Sequence, residues 1–405
     1  MELLTAQCRP TTVPESPSQQ HSPTPAESLA APMTAAPARD TGVFAEAPRP
    51  KSERIAYIDM ARGLFVILMA STHAMTLAGI ASTGPLADWG LPRGWATTGL
   101  IMLCGFMVAT FVREMQERAR IRRRVLRRAK QVLIVMFASN VLMVAIKHLI
   151  AHETESLFTL HWWGRLLFFG SEWSISGVLL PIGVFLLISP VLIALYDGCR
   201  STIQGVMLTG GVLVCAALTW SVAAFAPDNA GPHDALNMMF GAGVGGFPVI
   251  PMVASGALGF LVGMFWQAPR EHPDGKTTLG IVLLFIGTGQ LLSATPEIVG
   301  RFVARTLLDV SHLLLIIMLA IALTQWRPSQ RGLRFIPLLG RYSLLTFLLH
   351  RVIEQALAMG FSPFHLPGEF VYGVCFSGGI VGSLVVILLR QRFTGYDRVL
   401  RAVYL

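Results

Sequence analysis

Charge is what this chain has least of. Asp, Glu, Lys and Arg make up only 14% of its 405 residues against 53% hydrophobic ones, and the mean hydropathy is +0.59. An ordinary soluble domain is about a quarter charged, so that class is excluded. Apolar runs of spanning length recur from end to end, and the expected fold is an all-α, polytopic transmembrane helical bundle. Cysteine is sparse too: Cys8, Cys104, Cys199, Cys215 and Cys375 contain no CxxC spacing, which argues against a disulfide framework or a zinc site. No GK[ST] directly follows the glycine-rich stretch Gly241–Gly246; it reads as an outer loop, not a nucleotide loop. No apolar h-region follows Met1-Glu2-Leu3-Leu4, which disfavours a cleaved signal peptide. Neither a repeat nor a coiled coil is evident. The shortage of acidic residues leaves a formal net charge of +9. Most of the Lys and Arg flank apolar runs, as topology signals do, so nucleic acid is not an expected partner.

What is present divides into three parts. Residues 1–53 are rich in Pro, Ala, Ser and Thr without a core-forming period and read as a disordered cytoplasmic tail. Residues 54–392 hold about ten spans, expected near 55–80, 95–115, 129–150, 176–197, 204–225, 247–267, 278–295, 307–326, 335–357 and 369–390. Residues 393–405 form a short basic tail. The connection holding Arg113, Arg118, Arg120, Arg122, Arg123, Arg124, Arg127, Arg128 and Lys130 must be cytoplasmic. Alternating from there puts the segments with Arg270 and Lys276, with Arg327, Arg331 and Arg334, and with Arg390, Arg392, Arg398 and Arg401 on the same side. Both termini are then cytoplasmic. The apolar stretch Leu157–Gly170, interrupted by His161 and Arg165, is short enough to lie in the interface, with Trp162, Trp163 and Trp173 in an outer aromatic belt.

The first span carries Asp59, Arg62 and His73 within a membrane-length apolar run. Eleven residues of α-helix turn by about 20° beyond three full turns and rise roughly 16 Å, so Arg62 and His73 share a face at different depths. Ionisable groups there face a bundle interior or a watery cavity, because exposure to lipid costs several kcal/mol. His350 lies two-thirds of the way along the ninth span, Asp309 and His312 open the eighth, and Glu172 precedes the fourth. On the inner side, Arg341 enters the ninth span and Arg127 and Arg128 precede the third. Histidine suits a proton transfer from a hydroxyl nucleophile; arginine suits phosphate or a developing oxyanion. Such parts serve acyl transfer and proton-coupled transport of a glycan or lipid-linked precursor equally well. Structural readings stay open as well: an i,i+3 ion pair for Asp59 and Arg62, an interhelical hydrogen bond for His73, a topology role for the basic run, and a helix start at Asp309.

Ile58-Asp-Met-Ala-Arg-Gly-Leu64 followed by His73 resembles the opening of the acyltransferase type 3 superfamily of integral membrane proteins, whose hallmark is R-x10-H. Leu339-Gly-Arg-Tyr-Ser-Leu-Leu-Thr-Phe-Leu-Leu-His350 is similar to that family's late span. Leu103-Cys-Gly-Phe-Met-Val108 resembles its second span, with Cys104 where Ser is common. Arg124–Lys130 resembles the basic approach to its third span and Ser171–Pro181 the tryptophan-bearing start of its fourth. Gly94–Gly105 looks most like the OpgC-type branch, which succinylates periplasmic glucans. The resemblance implies acyl-CoA as a cytoplasmic co-substrate, no tightly bound cofactor or metal, a carbohydrate hydroxyl outside as acceptor, and residence in the cell inner membrane. It implies His73 as general base, with Arg62 positioning the donor or stabilising the oxyanion. Arg127, Arg128 and Arg341 are then candidates for CoA phosphates, and His350 for a second polar group in the site.

Overall fold

The computed structural model describes residues 55–80, 95–114, 117–151, 176–199, 201–225, 249–266, 298–326, 332–393 and 395. The N-terminal tail, the seventh expected span, the 157–170 segment with its tryptophans, Glu172, the Gly241–Gly246 loop and most of the basic tail lie outside the described residues. Those described form α1 (Ala56–Leu77), α2 (Trp95–Glu114), α3 (Arg118–Ala151), α4 (Ser176–Gly198) and α5 (Thr202–Phe225). Then follow α6 (Val249–Phe265), α7 (Ile298–Gln325), α8 (Phe335–Arg341), α9 (Ser343–Phe361) and α10 (Gly368–Arg392). No strand occurs among the described residues. Six segments, within α1, α2, α4, α7, α9 running on to Phe364, and α10, are long and apolar enough to cross a bilayer. The protein is an all-α, polytopic membrane bundle.

Three expectations change in detail. The basic run is not a connection: Arg118 to Lys130 form the first turns of α3 itself, so its cations are spaced by helical geometry. Helix α7 starts at Ile298, well before the expected span, so Asp309 and His312 sit mid-helix and not beside its N-terminal dipole. The ninth span is broken at Tyr342, whose φ of -106° and ψ of 31° separate α8 from α9. The Thr346 hydroxyl spans the break, within 3.2 Å of Leu339 O and 3.1 Å of Tyr342 O. The guanidiniums of Arg390 and Arg341 lie 5.1 and 5.6 Å from the centroid of the Tyr342 ring, contacts that hold the break in place.

Without water to expel, membrane helices associate through close packing, and small residues permit it. Helix α1 is central, packing on α2, α7, α8, α9 and α10. Its seam with α8 is two-sided. A Cβ added at Gly63 would stand 2.0 Å from the Ile336 carbonyl oxygen, and one at Gly340 would stand 1.8 Å from that of Asp59. Backbone is met on both sides, so neither helix can yield by a rotamer change. Gly340→Ala is expected to cost about 3 kcal/mol, the upper end for overpacking, read as earlier loss of monodisperse protein on heating in detergent. Gly360→Ala, with nothing within 4 Å, leaves that temperature unchanged. At the other extreme, α5 turns Ile203 (72% exposed), Met207 (70%), Val214 and Leu218 outward, an apolar stripe suited to lipid.

Candidate functional site

The two motif residues of α1 are both claimed by one neighbouring helix. Arg62 donates from Nη2 to the Ser343 hydroxyl at the start of α9, while Asp59 holds its Nη1 at 3.5 Å. Two turns further along α9, His73 Nδ1 and His350 Nε2 lie 3.2 Å apart, with ring planes 7° from parallel. Because 62 meets 343 and 73 meets 350, α1 and α9 run in the same direction. The ion pair and the site role proposed for Arg62 are therefore compatible, since Asp59 fixes its angle without removing it from the interior.

Arg62 also walls a cavity of ≈ 430 Å³ between α1, α2, α3, α4 and the α8–α9 break. Arg124, Arg127, Arg128 and Arg341 line it too, and no Asp or Glu is among the described lining residues. Arg124 lies 5.0 Å from the centroid of the Phe111 ring, and Arg128 donates to Gln131 Oε1 at 3.2 Å. Helical spacing brings Arg124, Arg127, Arg128 and Gln131 to one side of α3, and the remaining wall is apolar except for Cys104 and Ser343. Such a chamber has the chemistry for an anion carrying several phosphates with an apolar portion. Phe347 closes the wall nearest the histidines: it lines the cavity and also meets the His350 ring edge-on, centroids 5.7 Å apart.

Hydrogen bonding sets the tautomers of the pair. The Thr346 carbonyl can only accept, so His350 Nδ1, 2.8 Å away, carries a hydrogen. In the neutral ring, Nε2 then bears the lone pair and must accept from His73 Nδ1. That leaves His73 Nε2 with a lone pair, which is the arrangement of an oriented base. His350 is wholly buried and His73 only partly so, so His73 is the member of the pair with access.

Of the residues singled out from sequence, Arg62, Arg127, Arg128 and Arg341 meet in the cavity, while His73 and His350 meet beyond Phe347. Asp59 supports Arg62. Asp309 and His312, on α7, line neither feature, and Glu172 lies outside the described residues. Sequence reasoning missed Arg124, Ser343 and Glu354. Glu354 falls one helical turn after His350, and a carboxylate oxygen of it lies within 4.8 Å of ring nitrogens of both histidines.

Residues 55–389 match a family model described as an acyltransferase domain. No curated protein and no solved structure matches the chain.

Proposed function

The chain belongs to the acyltransferase type 3 family of membrane proteins, and from that premise we propose that it moves an acetyl or succinyl group from acyl-CoA to a hydroxyl of an envelope carbohydrate. The observation that carries this reading is an arginine-walled cavity separated from an oriented histidine pair by a single aromatic ring. Guanidiniums suit the phosphates of CoA, and the apolar wall suits its pantetheine arm. By the positive-inside rule the start of α3 faces the cytoplasm, where acyl-CoA is available. The histidine pair lies farther along α1, toward the opposite face. In this reading the protein resides in the cell inner membrane, and the acceptor approaches from outside.

In this reading His73 Nε2 takes the proton of the acceptor hydroxyl as its oxygen attacks the thioester carbonyl. The new C–O bond forms, the C–S bond breaks, and the proton passes to the departing CoA thiolate. Arg62 stands roughly 16 Å along the axis from His73, too far for both backbone positions to serve one carbonyl, which favours holding the donor over stabilising the oxyanion. Arg124, Arg127, Arg128 and Arg341 share the phosphates with it. The OpgC-type resemblance makes succinyl transfer to a glucan the first pair to test.

The test is transfer by purified protein in liposomes, supplied with labelled succinyl-CoA or acetyl-CoA and a glucan. Mass spectrometry of envelope glycans from cells with and without the protein runs alongside. An acyl mass increment that depends on the protein is expected; identical glycans and no label transfer overturn the reading. Cys104 supplies a second measurement, because its thiol lines the cavity. CoA is expected to slow alkylation of Cys104 at least severalfold, with Cys199, at the end of α4 and outside the cavity lining, as the unprotected control.

A further inference from the structure

Glu354, in α9, has no exposed surface, and neither of its carboxyl oxygens has a hydrogen-bond partner among the described residues. A carboxyl group in that setting rests as the neutral acid, because burying its charge unpaired is too costly. Native structures keep an unpartnered polar group inside only for a reason. Arg351, the residue after His350, acts on the carboxyl electrostatically, but no ion pair joins them among the described residues. Cys375 of α10 donates to the Glu354 backbone carbonyl at 3.7 Å and leaves the side chain alone. Also on α10, a Cβ at Gly379 would come within 2.9 Å of Glu354 Cγ and Oε1, so the missing side chain leaves the carboxyl its room.

The groups that converge there are nitrogens. His73, His350 and Glu354 each bring one ligand-type atom within 4.8 Å of the other two. His350 and Glu354 are four apart on α9, the spacing by which one helix face presents two groups to a single ion. His73 comes from α1 alongside, and its Nδ1 lies 3.2 Å from His350 Nε2. Two nitrogens on a tetrahedral zinc ion, each bonded at about 2.0–2.1 Å, stand about 3.3 Å from each other. The other ring nitrogen of His350 donates to the Thr346 carbonyl at 2.8 Å, the kind of contact that orients a metal-ligating histidine and leaves its Nε2 lone pair available. His73 is partly exposed, which gives an ion a way in. Two imidazoles and a carboxylate suit zinc, whereas magnesium and calcium take oxygen ligands.

We propose that His73, His350 and Glu354 form an inhibitory zinc site, with water in the fourth position. The ion is exchangeable and has no part in the reaction. It takes the place of the Glu354 proton, which leaves to solvent, so binding releases one proton and makes the carboxylate a ligand. The hydrogen on His73 Nδ1 moves to Nε2, because Nδ1 now holds the ion. Nε2 thereby loses the lone pair that would accept the proton of the acceptor hydroxyl. The silencing rests on the acyl-transfer reading above; the binding of zinc does not.

Wild-type protein stripped with EDTA and titrated with zinc chloride is expected to show a site whose affinity falls at least about 10²-fold in Glu354→Gln, since even outer-shell partners of a metal contribute 10–100-fold. His365→Ala, which removes an exposed imidazole outside the cluster, is expected to bind zinc like wild type. Cobalt(II) added to stripped wild type is expected to give the strong visible absorption of a four-coordinate ion, which zinc then displaces. A wild type without that displaceable spectrum overturns the proposal, whether or not Glu354→Gln folds. Equal zinc affinity in folded Glu354→Gln overturns it too. In liposomes, acyl transfer is expected to fall in step with zinc occupancy and to return on chelation; an unchanged or faster rate at full occupancy overturns the proposal. A stripped wild type that transfers no acyl group from any donor removes the functional reading and the silencing with it, while the cobalt spectrum still decides the site.

Discussion

His73→Ala is expected to lower acyl transfer by about 10²–10⁴-fold, the range contributed by a general base, while the protein still inserts and remains monodisperse. His73 is the one member of the histidine pair that the hydrogen bonds leave with an outward lone pair, and it is only partly buried. On the proposed reading, removing it deletes the proton acceptor, and His350, wholly buried one helix away, does not replace it. His350→Ala is expected to hurt less, because it leaves the base in place and removes only what aligns it. The comparison requires initial rates at saturating donor for both variants and a thermal unfolding curve for each. Equal rates for His73→Ala and wild type would end the assignment of the base.

The second large effect is expected in donor binding. Arg127→Ala with Arg128→Ala should raise KM for acyl-CoA by at least about 10²-fold, since each charge-assisted hydrogen bond contributes about 1.5–3 kcal/mol. Little change in kcat is expected, because the histidines lie on the far side of Phe347. Arg118→Ala is the control on the same helix. Its guanidinium is tied to Asp197 at 3.0 Å and does not line the cavity, so KM should hold. A KM unmoved by the double substitution, measured with matched salt, would place the donor elsewhere.

The sequence made the first helix legible because an eleven-residue spacing on α-helical geometry has one outcome, and Arg62 and His73 do share a neighbour. It made His350 legible because an ionisable group deep in an apolar span has few tolerable positions. Glu354 was hidden by its place near the expected end of that span at 357, where a carboxylate reads as an interface residue. Only the continuation of α9 to Phe361 brings it inside. Arg124 was hidden differently. In a run so dense in cations every helical face carries one, and which face meets the cavity depends on how α3 packs. The break at Tyr342 left little signal, because Gly340 weighs little against an otherwise unbroken apolar pattern. The helix start expected at Asp309 was misplaced because apolarity, which locates a span, does not locate where its helix begins: α7 starts with the polar-bearing stretch from Ile298.

Five like-charged side chains sharing one small chamber push against each other whenever nothing negative lies between them. A vacant chamber is therefore the least comfortable condition of this protein, and the cytosol is full of polyvalent anions able to relieve it. On the proposed reading, nucleotides and inorganic pyrophosphate are drawn in between turnovers as temporary lodgers that the thioester must evict. Catalytic output in the cell is then expected to follow the ratio of acyl-CoA to those competitors, not the concentration of acyl-CoA alone.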